Sequence, residues 1–175
     1  ALTTAEGALP ENAAALRQLE DQIAQIANPA AVAVAALPAT AAQVSGQTFG
    51  LLTPLSLPAA GAMSVFQAAD TPAALRFDFL DDTQANLTFI SGTGESWTLP
   101  IGLNGRDIVL EDSPVGPLGS RGAWHTDTEF SIWMDYVGDG QVVRWDVTFL
   151  PGGIDLLSAD LVAGSANFSV GVLTQ

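Results

Sequence analysis

Val143-Arg144-Trp145-Asp146-Val147-Thr148-Phe149 puts a large apolar residue at every second position, with charged or polar residues between. Side chains alternate faces along an extended strand but share a helix face only every 3.6 residues, so this spacing reads as a strand buried on one side. Pro151-Gly152-Gly153 then turns the chain. Just upstream, Phe130, Ile132 and Met134 oppose Glu129, Ser131 and Asp135, and Gly138-Asp139-Gly140 makes the connecting turn. Further back, Leu75, Phe77 and Phe79 alternate with Arg76 and Asp78. After the polar Asp81-Asp82-Thr83-Gln84, Ala85, Leu87 and Phe89 alternate with Asn86 and Thr88. Two such runs around a short polar turn predict a hairpin. Ser91-Gly92-Thr93-Gly94 leads on to Trp97, Leu99 and Ile101 on one face, and Ala166, Phe168, Val170 and Val172 form a last alternating run.

Turn signals at roughly 8–12-residue spacing, with no second helical pattern among them, predict a mainly β fold. Closing the sheet protects its edges, so the expectation for residues 41–175 is an antiparallel β-barrel of about eight strands, with a sandwich as the alternative. Residues 1–40 read as an N-terminal amphipathic helix followed by a Pro/Ala linker. Pro10-Glu11-Asn12 is a helix start, and Asn28-Pro29 is a stop. Leu16, Leu19, Ile23 and Ile26 share one helix face, with Arg17, Gln18, Glu20 and Asp21 opposite. A helix this short is marginal alone in water, so that face is expected to dock, on the following domain, on a domain outside this chain or in a homo-oligomer. Pro29 to Ala42 is too short, and too broken at Pro38, to span a bilayer as a helix.

The chain has 175 residues, 48% of them hydrophobic and 14% charged, which suits one domain with a real core. Its net charge is −14, from 19 acidic residues against five arginines, and it has no lysine, no cysteine and one histidine, His125. Lysine-dependent chemistry is thereby excluded: Schiff bases, Walker-type phosphate loops and Ser-x-x-Lys nucleophiles. Thiol catalysis, thiolate metal sites and disulfides fall with the cysteines. Nucleic acid is not an expected partner, because phosphate backbones are bound mainly through cations.

His125 with Asp127 is the one candidate for a base and its orienting acid. On a strand the two would share a face with Arg121, opposite Trp124. No G-x-S-x-G motif accompanies them. Asp81-Asp82, Glu111-Asp112, Asp127 with Glu129, and Asp135 with Asp139 are the carboxylate pairs, and most sit where turns are already required. No calcium-loop motif is present, so no catalytic, cofactor-binding or metal-binding residue is assigned. Trp97, Trp124 and Trp145 fall on apolar faces and are the candidate barrel lumen, whereas Trp133 falls on a polar face. A barrel of this size is either filled by side chains or holds one small ligand. The second possibility would make the chain a free-standing carrier of a small apolar ligand.

Leu9-Pro10-Glu11-Asn12, the linker to Pro38, Val44-Ser45-Gly46-Gln47-Thr48-Phe49, Trp97-Thr98-Leu99-Pro100-Ile101-Gly102-Leu103-Asn104-Gly105 and Arg121-Gly122-Ala123-Trp124 come in a suggestive order. That order resembles the C-terminal appendage of serine hydrolases related to class C β-lactamases and penicillin-binding proteins. The resemblance implies a lipocalin-like β-barrel that does no chemistry itself. It would support or shape a catalytic domain lying upstream of Ala1, docked through the Leu16, Leu19, Ile23 and Ile26 face. It also implies a parent exported to the periplasm or beyond. The family's Ser-x-x-Lys pair has no counterpart here, and the only tyrosine, Tyr136, is followed by Val137-Gly138, which does not match the family's Tyr-x-Asn motif.

Overall fold

A computed structural model describes residues 12–27, 34–53, 55, 72–113, 116–138 and 140–174. The chain divides into two compact units, Ala1–Ala31 and Val32–Gln175. In the first, helix α1 covers Ala13–Ala27, and Asn12 Oδ1 accepts the Ala15 N–H at 3.0 Å. This is the side-chain cap that the Pro10-Glu11-Asn12 signal predicts. Leu16, Leu19 and Ile23 are exposed, and the Ile26 side chain lies outside the described residues.

The second unit holds a short helix, α2 (Ala39–Val44), and ten strands: β1 Thr48–Leu51, β2 Pro72–Asp81, β3 Gln84–Ser91, β4 Ser96–Gly102, β5 Ile108–Leu110, β6 Leu118–Trp124, β7 Glu129–Tyr136, β8 Gln141–Leu150, β9 Gly153–Asp160 and β10 Ser165–Leu173. Their order is β4-β3-β2-β1-β10-β9-β8-β7-β6-β5. The expected β2–β3 hairpin forms, with Leu75 opposite Phe89 and Phe77 opposite Leu87. Asp81 Oδ1 holds its turn by accepting from the Thr83 N–H, the Thr83 hydroxyl and the Gln84 N–H.

The sheet closes where β4 meets β6, through the parallel pairing of Gly102 with Arg121. Strand number explains why this contact is parallel. Nine strands from β4 round to β6 pair antiparallel at every other step. In such a ring the first and last members run the same way. The barrel therefore has nine strands where about eight were expected, and β5 is an extra strand outside the ring. β5 pairs with Leu118–Ser120 of β6, on the edge that β4 reaches only at Arg121. The hydroxyl of Ser120 ties the seam by donating to the Pro100 carbonyl of β4.

Glycine is required at this seam. A Cβ on Gly102 would lie 2.0 Å from the Arg106 carbonyl oxygen, and one on Gly122 would lie 2.5 Å from Phe130 Cζ and 2.9 Å from Ile101 Cγ2. Inside the ring, alternate residues of β1–β4 and β6–β9 meet in one core. Phe49, Leu75, Phe77, Leu87, Phe89, Leu99, Ile101, Phe130, Ile132, Trp145, Val147, Phe149, Ile154 and Leu156 belong to it, and α2 adds Val44.

Two local expectations are corrected. In β10 the buried row is Ser169 and Gly171, while Phe168 and Val172 point outward and are exposed. The core leaves no room for larger residues there: a Cβ on Gly171 would come within 2.8 Å of Ile154 Cγ1. The other is α2, a second helix that falls across the junction expected at residue 40. Gly122→Val should lower the stability of the barrel by about 1–3 kcal/mol through overpacking against Phe130 and Ile101. Urea unfolding measures this, and an unchanged midpoint would show that β6 does not approach β4 as described.

Candidate functional site

Two places in the barrel gather polar chemistry, one inside and one outside. Inside, β8 and β9 present Trp145 and Ser158 as directly opposed partners, and both residues are fully buried. Neither the Trp145 Nε1–H nor the Ser158 hydroxyl makes a hydrogen bond among the described residues, and the same holds for Trp124 Nε1–H. Aromatic rings surround them. Phe89 lies edge-on to Trp145 at 5.6 Å and stacks on Trp97 at 5.0 Å. Trp124 packs among Phe79, Phe130 and Phe149 with centroids 5.1–5.5 Å away. All three tryptophans expected to line the lumen are thus on the inner side of the wall.

Polar residues close the same interior beyond Ser158. Asp160 is buried; its Oδ1 accepts the N–H groups of Val162 and Ala163, and its Oδ2 accepts from Gln141 Nε2 at 2.8 Å. The Ala163 N–H and the Gln141 amide are the main reasons its pKa lies below the ordinary carboxylate value. Tyr136, opposite Gln141 in the β7–β8 ladder, is pushed up to about 12, first by burial and then by the Asp160 carboxylate.

On the outer face, the Ser131 hydroxyl sits between His125 and Asp146. It donates to Asp146 Oδ1 at 2.5 Å and lies 2.8 Å from His125 Nε2, while Arg144 pairs with Asp146 Oδ2 at 2.8 Å. A hydroxyl that gives its hydrogen to Asp146 can only accept from the imidazole, so Nε2 carries the proton. In a catalytic triad the histidine stands between serine and carboxylate and takes the serine proton. Here the order is inverted, and Ser131 is buried. The His125 and Asp127 pairing is corrected as well: β6 ends at Trp124, the His125 N–H donates to the Glu129 carbonyl, and Asp127 is an exposed residue of the bend. A cavity of about 140 Å³ lies among His125, Glu129, Ser131, Asp146 and Thr148. A larger one, about 270 Å³, lies among Leu37, Asp82, Leu103, Arg121 and Trp133. Trp133 is on the outer face as expected, with the Arg121 guanidinium 5.6 Å from its ring centroid.

Among the described residues no group of three or more histidine and carboxylate side chains could hold a metal ion. Asp81 serves its turn, Asp82 Oδ1 accepts the Leu37 N–H, and Glu111 and Asp112 are exposed; Asp139 lies outside the described residues. Sequence reasoning missed Ser158 and Ser131. Ser158 had a readable signal, since Ile154, Leu156, Ser158 and Asp160 alternate as an inward row of β9.

No family model and no curated protein matches this chain, so the serine-hydrolase resemblance rests on the motifs alone. Among solved structures, the chain is similar to a Schistosoma mansoni fatty acid binding protein in complex with arachidonic acid, with a TM-score of 0.54 and 9% identity over 75% of this chain and 96% of that one. It is also similar to a luciferase domain from the dinoflagellate Lingulodinium polyedrum, with a TM-score of 0.51 and 14% identity over 79% of this chain and 44% of that one. At these identities the likeness is one of fold: a lipocalin-like, fatty-acid-binding-protein-like barrel.

The burial of Tyr136 yields a direct check. Its neutral phenol is favoured in the folded state, so its contribution to stability is complete below the unfolded tyrosine pKa of about 10. That contribution is lost as pH rises toward about 12. Because Tyr136 is the only tyrosine, ultraviolet absorbance of tyrosinate reports it alone. The transition is expected near 12. A midpoint near the ordinary value of about 10 would contradict the buried position.

Proposed function

We propose that the barrel is a binding module that takes a small, largely apolar ligand into its interior. The observation that carries this reading is the opposed pair of buried donors, Trp145 Nε1–H and Ser158 Oγ–H, set without partners among aromatic rings. A buried donor left unsatisfied costs about 1–3 kcal/mol, and most such groups in folded proteins have a partner. A ligand carrying one acceptor removes that cost on arrival, and its apolar remainder replaces water with side-chain contacts. Entry requires the inner aromatic side chains to shift, so binding is coupled to a change around Trp145. The fold supports the reading at the level of architecture, since the Schistosoma mansoni barrel is described in complex with arachidonic acid. The outer His125–Ser131–Asp146 cluster is a less suitable site, because its hydrogen bonds are already made.

Ser158→Ala separates a binding role from a merely structural one. Removing an unsatisfied hydroxyl should leave the unliganded barrel as stable as before, or stabilise it by about 1 kcal/mol. Losing the hydrogen bond should weaken ligand binding by about five- to tenfold. Quenching of tryptophan fluorescence by a panel of long-chain alcohols, methyl esters and carboxylic acids reads the binding, and urea unfolding reads the stability. Flat titrations across the panel, or a destabilised variant with unchanged binding, would overturn the proposal.

A further inference from the structure

We infer that the interior accepts an uncharged ligand with a carbonyl or hydroxyl group, such as a long-chain ester, aldehyde or alcohol, and rejects the carboxylate of the same chain length. This rests on the reading of the barrel as a ligand-binding module and names the chemistry of that same site.

The chain has five arginines, no lysine and one histidine, and all six cationic or potentially cationic side chains are among the described residues. Arg76 in β2, Arg121 in β6 and Arg144 in β8 occupy outward positions. Each alternates with an inward, buried neighbour: Phe77, Gly122 and Trp145. Each is held on the outer face by a carboxylate, Asp78 at 2.8 Å, Asp107 at 2.9 Å and Asp146 at 2.8 Å. Arg106 is exposed in the connection after β4, Arg17 is exposed on α1, and His125 is exposed just past β6. No cation therefore faces the lumen.

The end of the interior beyond Ser158 instead carries a negative charge. Asp160 lies two residues beyond Ser158 on the same inward row of β9 and is only 3% exposed. Its oxygens accept from the Val162 and Ala163 N–H groups and from Gln141 Nε2, which holds the carboxylate in place. A ligand carboxylate placed at Trp145 and Ser158 would be desolvated with no counter-charge, in a like-charge field. Burying such an ion without a counter-charge is strongly unfavourable. A neutral carbonyl or hydroxyl needs only the neutral donors that Trp145 and Ser158 supply. A ligand ammonium is attracted by Asp160, but at Trp145 and Ser158 its three donors meet a single acceptor, the Ser158 oxygen, because the indole N–H can only donate.

The test uses the whole chain and three probes of equal chain length: methyl laurate, laurate and dodecylammonium, at neutral pH and below their micelle-forming concentrations. Tryptophan fluorescence and co-elution in gel filtration read binding. The expected result is saturable binding of methyl laurate, with laurate and dodecylammonium weaker by about tenfold or more. Laurate or dodecylammonium binding as tightly as the ester, or more tightly, would overturn the inference while leaving the binding-module reading in place. Binding of none of the three would overturn both.

Discussion

Closing an odd number of strands is the constraint on which the rest of this molecule depends. An antiparallel ring of nine leaves β4 and β6 running the same way, and only Gly102 and Arg121 join them in the ladder. So short a parallel contact cannot hold a barrel by backbone hydrogen bonds. The structure compensates with β5 along the same edge of β6, the Ser120 hydroxyl on the Pro100 carbonyl, and glycines that let side chains of the facing strands into the gap. Without this closure two long edges would be open to pairing with other chains.

Closure also fixes what is inside and what is outside, and in this chain that division is a division of charge. Strand alternation sends Arg76, Arg121 and Arg144 to the outer face, each with an aspartate beside it. The inner face receives most of the aromatic rings, a few neutral donors and, among the described residues, the hydrogen-bonded carboxylate of Asp160. An outer polar cluster at His125, Ser131 and Asp146 brings together the residue types of a hydrolytic triad. Its proton order gives the imidazole no role as base toward the serine. The same residue types in a different order thus make a structural clasp between β7 and β8.

Much of this was legible in the sequence, for physical reasons that also mark where legibility ends. β8 and the β2–β3 hairpin alternate large apolar with charged residues, and burial of one face permits only one parity. β10 defeats the same argument. Its apolar row, Phe168 and Val172, faces outward, because the inner row must be as small as Gly171 to fit against Ile154 and Phe49. α2 is six residues of mostly small side chains, too short to show a helical period. The ninth strand of the ring and the accessory β5 could not be counted from alternation, since β5 is three residues long and β1 four. Trp145 was readable as a lumen residue; its lack of a partner was not. That depends on what surrounds the indole in the folded barrel, where Ser158 stands opposite it across the β8–β9 hairpin.

The central claim is that Trp145 holds a buried donor kept free for a ligand. The indole N–H signals of the four tryptophans in a proton–nitrogen correlation spectrum test it most directly, with Trp145 assigned through Trp145→Phe. The Trp145 signal is expected to be protected from solvent exchange and to move downfield when a neutral long-chain ester is added, as the indole gains an acceptor. The signal of Trp133, on the outer face, should stay in place. A Trp145 signal that exchanges freely with solvent, or that is unmoved by ligand while Trp133 shifts, would contradict it.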